Sequence, residues 1–186
     1  TRELVMQIAA DAEELGKFTG LQVATLIGGM DYQKQLNRLT NSVVDLVVAT
    51  PGRLLDFMGR RDLYLDHVEI LVLDEADRML DMGFIPQVKR IVRATPPKES
   101  RQTLLFSATY SNEIRSISRK VQRDPVEVTV ESLLGSEEIE QMFYEVELPR
   151  KVDALAYLLS QHRPESALVF CNTKRDTTDV AEQLAI

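Results

Sequence analysis

An α/β fold built on a doubly wound parallel sheet is what this sequence predicts, and three features carry the prediction. Short runs of Val, Leu and Ile alternate with longer stretches of helical periodicity. The short runs are apolar almost continuously, as strands covered on both faces must be. The chemically unusual residues recur directly after those runs, at the strand ends where open parallel sheets bind their ligands.

The elements follow in order. Residues 2–18 read as a helix, with Leu4, Val5, Ile8, Ala12 and Leu15 at helical spacing. A strand at 22–27 ends on Gly28-Gly29, and a helix at 31–39 follows. A second strand at 45–49 runs into Thr50-Pro51-Gly52-Arg53, where the proline suits the first turn of a helix reaching residue 58. The third strand, 70–73, leads straight into Asp74-Glu75-Ala76-Asp77. Residues 84–92 form a helix whose buried stripe is Phe84, Ile85, Val88, Ile91 and Val92. A fourth strand at 103–106 meets Ser107-Ala108-Thr109; a helix at 111–121 and a strand at 126–130 complete the series.

Beyond it, the acidic, aperiodic stretch ESLLGSEEIE reads as a linker. A strand at 141–147, a helix at 152–159, a strand at 167–171 and a helix at 176–184 then look like the opening of a second α/β domain. The expected organisation is a first domain over residues 1–131, a linker over 132–139 and the start of a second domain over 140–186.

Composition bounds the function. The chain has 186 residues, 44% hydrophobic and 27% charged, so it can build a core. Its net charge of −7 argues against a protein that coats nucleic acid by bulk charge. The charge is uneven: the balance is +1 up to Arg123 and −8 beyond it. No apolar run approaches the roughly 20 residues of a membrane helix, and no secretory leader opens the chain. Cys171 is the lone cysteine, read as a small buried residue, and neither His67 nor His162 has metal-ligand spacing. A reducing cytoplasm fits. The chain begins without methionine and stops within a helical run, so it is expected to be part of something longer.

Three carboxylates within four positions, Asp74, Glu75 and Asp77, repel one another unless solvent, a cation or a donor relieves them. One reading is a helix start, with Asp74 as the N-cap and the other acids favoured by the helix dipole. The other is a carboxylate at the end of a buried strand holding Mg²⁺ beside nucleotide phosphates, with a second acid acting on the attacking water. That second reading needs a phosphate-binding loop, and G-x-x-x-x-G-K-[ST] is absent from the 186 residues.

The remaining stretches also have two readings each. Thr50 is a plausible N-cap, yet a helix start is an anion site and Arg53 adds a fork suited to phosphate. Gly28-Gly29 makes a turn or lets a nucleic-acid strand approach the backbone. Ser107 and Thr109 fit caps of the following helix.

Together and in order, these pieces resemble the DEAD-box family of ATP-dependent RNA helicases. Thr1-Arg2-Glu3-Leu4 is similar to the family's motif Ia without its leading proline. Gly28-Gly29 matches its GG pair, Thr50–Arg53 its motif Ib, Asp74–Asp77 its motif II and Ser107–Thr109 its motif III. The stretch LVFCNT, residues 168–173, is similar to motif IV of a second RecA-like domain.

The resemblance implies a RecA-like fold, RNA as substrate, and ATP with Mg²⁺ as cofactors. It implies that Asp74 holds Mg²⁺ through water, that Glu75 activates the attacking water, and that Asp77 bonds to Ser107 or Thr109, linking the nucleotide to domain closure. Thr1, Arg2, Gly28, Gly29, Thr50, Gly52 and Arg53 would grip the backbone of one RNA strand with little sequence preference. Ribonucleoprotein or RNA-turnover assemblies are the partners it allows, and no membrane. Lys174 and Arg175 fit an RNA contact and an exposed helix start equally well. The family's phosphate loop, Q motif and arginine finger are not in these residues, so the chain alone is expected not to hydrolyse ATP. The rival readings are another helicase or translocase on the same sheet, a truncated non-catalytic RNA-binding or partner-docking module, and a metabolic α/β domain.

Overall fold

A computed structural model describes residues 1–130 and 140–184. The chain separates into two compact units, Thr1–Val128 and Thr129–Ile186. The linker expected at 132–139 lies outside the described residues.

The first unit opens with α1 (Arg2–Leu15), capped by Thr1, whose hydroxyl accepts the Leu4 N–H at 3.3 Å. The helix stops three residues before the expected end because Gly16 closes it. A Cβ on Gly16 would stand 2.8 Å from the Ala12 carbonyl oxygen, so only glycine lets the chain double back there. α1 lays Val5 and Ala9 on β1 (Val23–Leu26) and β2 (Leu46–Ala49), forming a core with Ile27, Val23 and Val48. Each fully buried side chain of this kind contributes about 1.5–3 kcal/mol. β1 and β2 are parallel, with Val23 opposite Leu46 and Leu26 opposite Ala49.

Between them runs α2 (Tyr32–Thr40), N-capped by Asp31, which accepts the Lys34 N–H at 2.8 Å. After β2 comes α3 (Pro51–Gly59), whose Phe57 is completely buried and stacks on Tyr32 with ring centroids 4.2 Å apart.

The second parallel pair is β3 (Ile70–Leu73) and β4 (Gln102–Leu105), with Ile70 opposite Gln102 and Leu73 opposite Leu105. Around it stand α4 (Ala76–Asp81), α5 (Ile85–Ala94) and α6 (Asn112–Val121). Leu73, Val88 and Val121 form its core, with Leu71, Met79, Val92, Leu105 and Ile117 packed against them. α3 packs on α5, joining the two halves. The strands are parallel and helix-flanked as the sequence predicts, but they are hydrogen-bonded as two separate pairs, β1–β2 and β3–β4. The strand expected at 126–130 is not formed among the described residues, and Val126, Val128 and Val130 are more than four-fifths exposed.

In the second unit, a 3₁₀ turn (Leu148–Arg150) leads into α7 (Lys151–His162), which packs on α8 (Lys174–Leu184). The strands expected at 141–147 and 167–171 are not formed among the described residues. Alternating apolar residues favour an extended backbone, but a strand exists only when a neighbour takes its hydrogen bonds. Phe143, Leu168 and Phe170 accordingly remain about nine-tenths exposed. Cys171 is partly exposed rather than buried, and Arg175 pairs weakly with Asp179 at 3.8 Å on the surface of α8.

Candidate functional site

β3 and β4 run parallel, so both release their next residues at the same edge. Leu73 and Phe106 continue the pairing: the Phe106 N–H donates to the Leu73 carbonyl at 2.8 Å, and the Ala76 N–H to the Phe106 carbonyl at 3.0 Å. Between them the chain turns sharply. Glu75 stands at φ 49°, ψ 49°, the left-handed region in which a residue with a Cβ is strained by about 1–2 kcal/mol. That kink starts α4 directly off the strand. Asp74 does not cap the helix; its Oδ1 accepts the adjacent Glu75 N–H at 2.8 Å, and the N-cap position belongs to Glu75, with no side-chain cap bond.

Asp77 is held from four directions. Thr109 donates both its N–H and its hydroxyl to Oδ2, at 2.9 and 3.1 Å, and the Arg78 N–H donates to Oδ1 at 2.9 Å. The Asp77 N–H donates to the Ser107 hydroxyl oxygen at 3.1 Å. Ser107 and Thr109 are therefore not caps of the next helix: Ser111 caps α6, accepting the Ile114 N–H at 3.3 Å. Desolvation is the largest single influence on the Asp77 carboxyl and pushes it up. The Thr109 N–H, the Arg78 N–H and the Thr109 and Ser107 hydroxyls together outweigh it, holding the group below its ordinary 3.8.

A depression of about 450 Å³ opens over Asp74, Glu75, Asp77, Arg78, Asp81, Phe106, Ser107 and Ala108. Asp81 was missed by motif reasoning, though it lies one helical turn beyond Asp77, a spacing that places both on one face of α4. Arg78 Nε lies 3.9 Å from Glu75 Oε2, an exposed and weak pair. Among the described residues no group of three or more His, Cys, Asp and Glu side chains could enclose a metal ion.

The other predicted residues gather around β1 and β2. Arg2 lies over the glycine turn, its Nη1 2.7 Å from where a Gly29 Cβ would stand, and it is the φ of +79° at Gly29 that requires glycine, since the arginine tip could swing aside. Thr50 holds the N-cap position of α3 without a side-chain capping bond and continues the strand pairing, its N–H donating to the Leu26 carbonyl at 2.9 Å. Arg53, 13% exposed, directs its fork inward, with Nε 3.0 Å from the Ile27 carbonyl and Nη2 2.7 Å from that of Met30. The guanidinium read from sequence as a phosphate fork thus braces the glycine turn. A wide cleft of about 1780 Å³ is lined by Thr1, Arg2, Gly28, Thr50, Gly52 and Arg53, and also by Asp74 and Glu75. Both sets of predicted residues therefore border one cleft.

Parallel strand pairs under flanking helices, with an acidic turn at one strand end tied to hydroxyls at the next, define a RecA-like α/β unit. A family model described as DEAD/DEAH box helicase matches residues 1–117. The chain belongs to the DEAD/DEAH box helicase family. The ATP-dependent RNA helicase RhlB of Pseudomonas putida is 50% identical over 185 residues, which cover 99% of this chain and 46% of that protein. The ATP-dependent RNA helicase DbpA of Escherichia coli is 44% identical over 185 residues, 99% of this chain and 40% of that one. A solved DEAD box protein from Methanococcus jannaschii aligns with a TM-score of 0.63 at 38% identity, over 100% of this chain and 49% of its own. The chain thus spans about half the length or less of the relatives it matches.

Proposed function

We propose that this chain is a segment of an ATP-dependent RNA helicase, comprising most of a first RecA-like domain over residues 1–131 and the start of a second over 140–186. The observation that carries the reading is the Asp77 carboxylate, which sits in the acidic turn and takes both donors of Thr109 from the next strand end.

On this reading the acids divide their roles. Mg²⁺ retains most of its waters and needs only one or two protein carboxylates, so the lack of a closed carboxylate cage does not count against it. Asp74 fits such a hydrated ion, since among the described residues its carboxylate accepts only the Glu75 N–H, at Oδ1, which leaves Oδ2 for a metal-bound water. When bound, Mg²⁺ neutralises charge developing on the transferred phosphate. Glu75, fixed by its left-handed backbone beside Asp74, orients and deprotonates the attacking water, an effect worth roughly 10²–10⁴ in rate. Asp77 remains ionised and couples the turn to Ser107 and Thr109.

RNA lies along the rim formed by Thr1, Arg2, Gly28, Gly29, Thr50 and Gly52, through backbone contacts that read little sequence. No helix among the described residues is long and apolar enough to cross a membrane, and a cytoplasmic setting with RNA-processing partners suits the reading. The 186 residues carry no phosphate-binding loop, so the chain alone turns over no ATP.

The test uses the full-length protein that carries this segment: ATP hydrolysis with and without single-stranded RNA, for the wild type and for Glu75→Gln. RNA-stimulated hydrolysis that the substitution abolishes supports the reading. RNA binding indifferent to nucleotide, with no hydrolysis, supports a non-catalytic RNA-binding module instead.

A further inference from the structure

Gln35, on α2, belongs to none of the motifs that define the site, yet it is 7% exposed and completely engaged. Its amide pairs with Ile27, the residue after β1, in the manner of a neighbouring strand. Oε1 accepts the Ile27 N–H at 2.9 Å, and Nε2 donates to the Ile27 carbonyl at 3.2 Å. The same Nε2 lies 3.3 Å from the Met30 carbonyl and 3.1 Å from that of Asp31. Arg53 holds two of these oxygens from the other side, Ile27 at 3.0 Å and Met30 at 2.7 Å. The carbonyls of the glycine turn are thus gathered onto two side chains. The N–H groups of Gly28, Gly29 and Met30 have no hydrogen-bond partner among the described residues, and Gly29 and Met30 are exposed. Successive unpartnered N–H groups in a turn containing a left-handed residue form a concavity suited to an anion.

We propose that Gln35 is a positioning residue for RNA, fixing the Ile27–Asp31 turn so that its free N–H groups are set to receive a backbone phosphate before RNA arrives. This rests on the RNA-binding reading above. A turn already fixed loses less freedom on binding than one that must be ordered, so Gln35 acts on affinity without touching the ligand. A purely structural glutamine would instead support the whole unit, nucleotide site included.

The experiment uses the full-length protein with Gln35→Met, which keeps the length and removes every hydrogen bond, and Gln35→Glu, which keeps the acceptor for Ile27 and removes the donors. Affinity for a single-stranded RNA oligonucleotide is measured alongside ATP affinity and turnover at saturating RNA. Gln35→Met is expected to weaken RNA binding about tenfold while ATP affinity and saturated turnover stay within about twofold. Gln35→Glu is expected to bind RNA weakly at neutral pH and to recover toward wild type, compared at equal pH, near about pH 5, where a protonated acid regains one donor. Exchange of the Ile27 amide hydrogen should quicken in Gln35→Met. RNA affinity within about twofold of wild type in both variants overturns the positioning role alone, as does an equal loss of ATP and RNA affinity. A wild-type protein with no RNA affinity overturns the functional reading and this proposal with it.

Discussion

Thr109 gives two donors, its backbone N–H and its hydroxyl, to a single carboxylate oxygen of Asp77, at 2.9 and 3.1 Å. A residue following β4 is thereby locked to the first turn of α4, across 32 positions of sequence. Asp77→Asn cannot reproduce this arrangement, because one of its two side-chain atoms must present N–H to an N–H donor. It is expected to lower stability by about 1–3 kcal/mol, read as a shifted denaturant midpoint.

The same contacts make stability pH-dependent. The folded Asp77 carboxyl lies below its ordinary 3.8. Its stabilisation is therefore complete above the unfolded value and is lost as pH falls through the folded one. Thermal melting followed downward from about pH 6 should show an acid limb in the wild type that is shallower in Asp77→Asn. Equal limbs would remove Asp77 from the acid sensitivity.

Ser107→Ala combined with Thr109→Ala removes the two hydroxyl partners of Asp77, keeps the backbone donors of Thr109 and Arg78, and leaves Asp74 and Glu75 unaltered. In the full-length protein this pair is expected to spare ATP hydrolysis and to impair strand separation. Assaying both activities on one preparation checks it, and parallel loss would show that the hydroxyls serve the hydrolytic step itself.

Glu75 combines a proposed chemical role with a strained backbone. Glu75→Gly relieves the left-handed conformation and is expected to be no less stable than wild type, within about 1 kcal/mol, while hydrolysing no ATP. Calorimetry with a turnover assay separates the effects; a large loss of stability would mean the side chain, not the backbone, holds the turn.

Arg101 is 7% exposed with no carboxylate partner within ion-pair distance among the described residues. Its guanidinium donates to the Pro96 carbonyl, to Thr103 Oγ1 at 3.1 Å and to the Val121 carbonyl at 3.4 Å, tying the loop after α5 to the end of α6. Burial pushes its pKa down, while the charge of Glu99 acts the other way. Arg101→Met leaves those acceptors unpaired and is expected to cost about 2–4 kcal/mol, measured by chemical denaturation.

Local pattern made much of this legible. β3 falls on its predicted residues, and α2, α3 and α5 lie within two residues of theirs, because apolar spacing and proline or aspartate at the starts act within a few residues. The order of unusual residues at strand ends located both halves of the candidate site. Composition alone did not say which of the capping-type side chains would cap a helix. Thr50 does hold the N-cap position of α3, without a side-chain bond, whereas Asp74 bonds the adjacent Glu75 N–H and Ser107 and Thr109 meet Asp77, as the resemblance implied.

The sequence by itself determined every described α-helix but α4, the ends of four strands to within a residue, and which acids, glycines and hydroxyls those ends carry, since each of these is settled by neighbours close along the chain. Only the tertiary structure decided that Arg53 faces a carbonyl cage, that Gln35 pairs with the end of β1, and that residues 141–147 and 167–171 remain without a strand partner. Hydrogen-bond donors seek whichever acceptor the fold leaves unsatisfied nearby, and that identity is set by packing between distant segments.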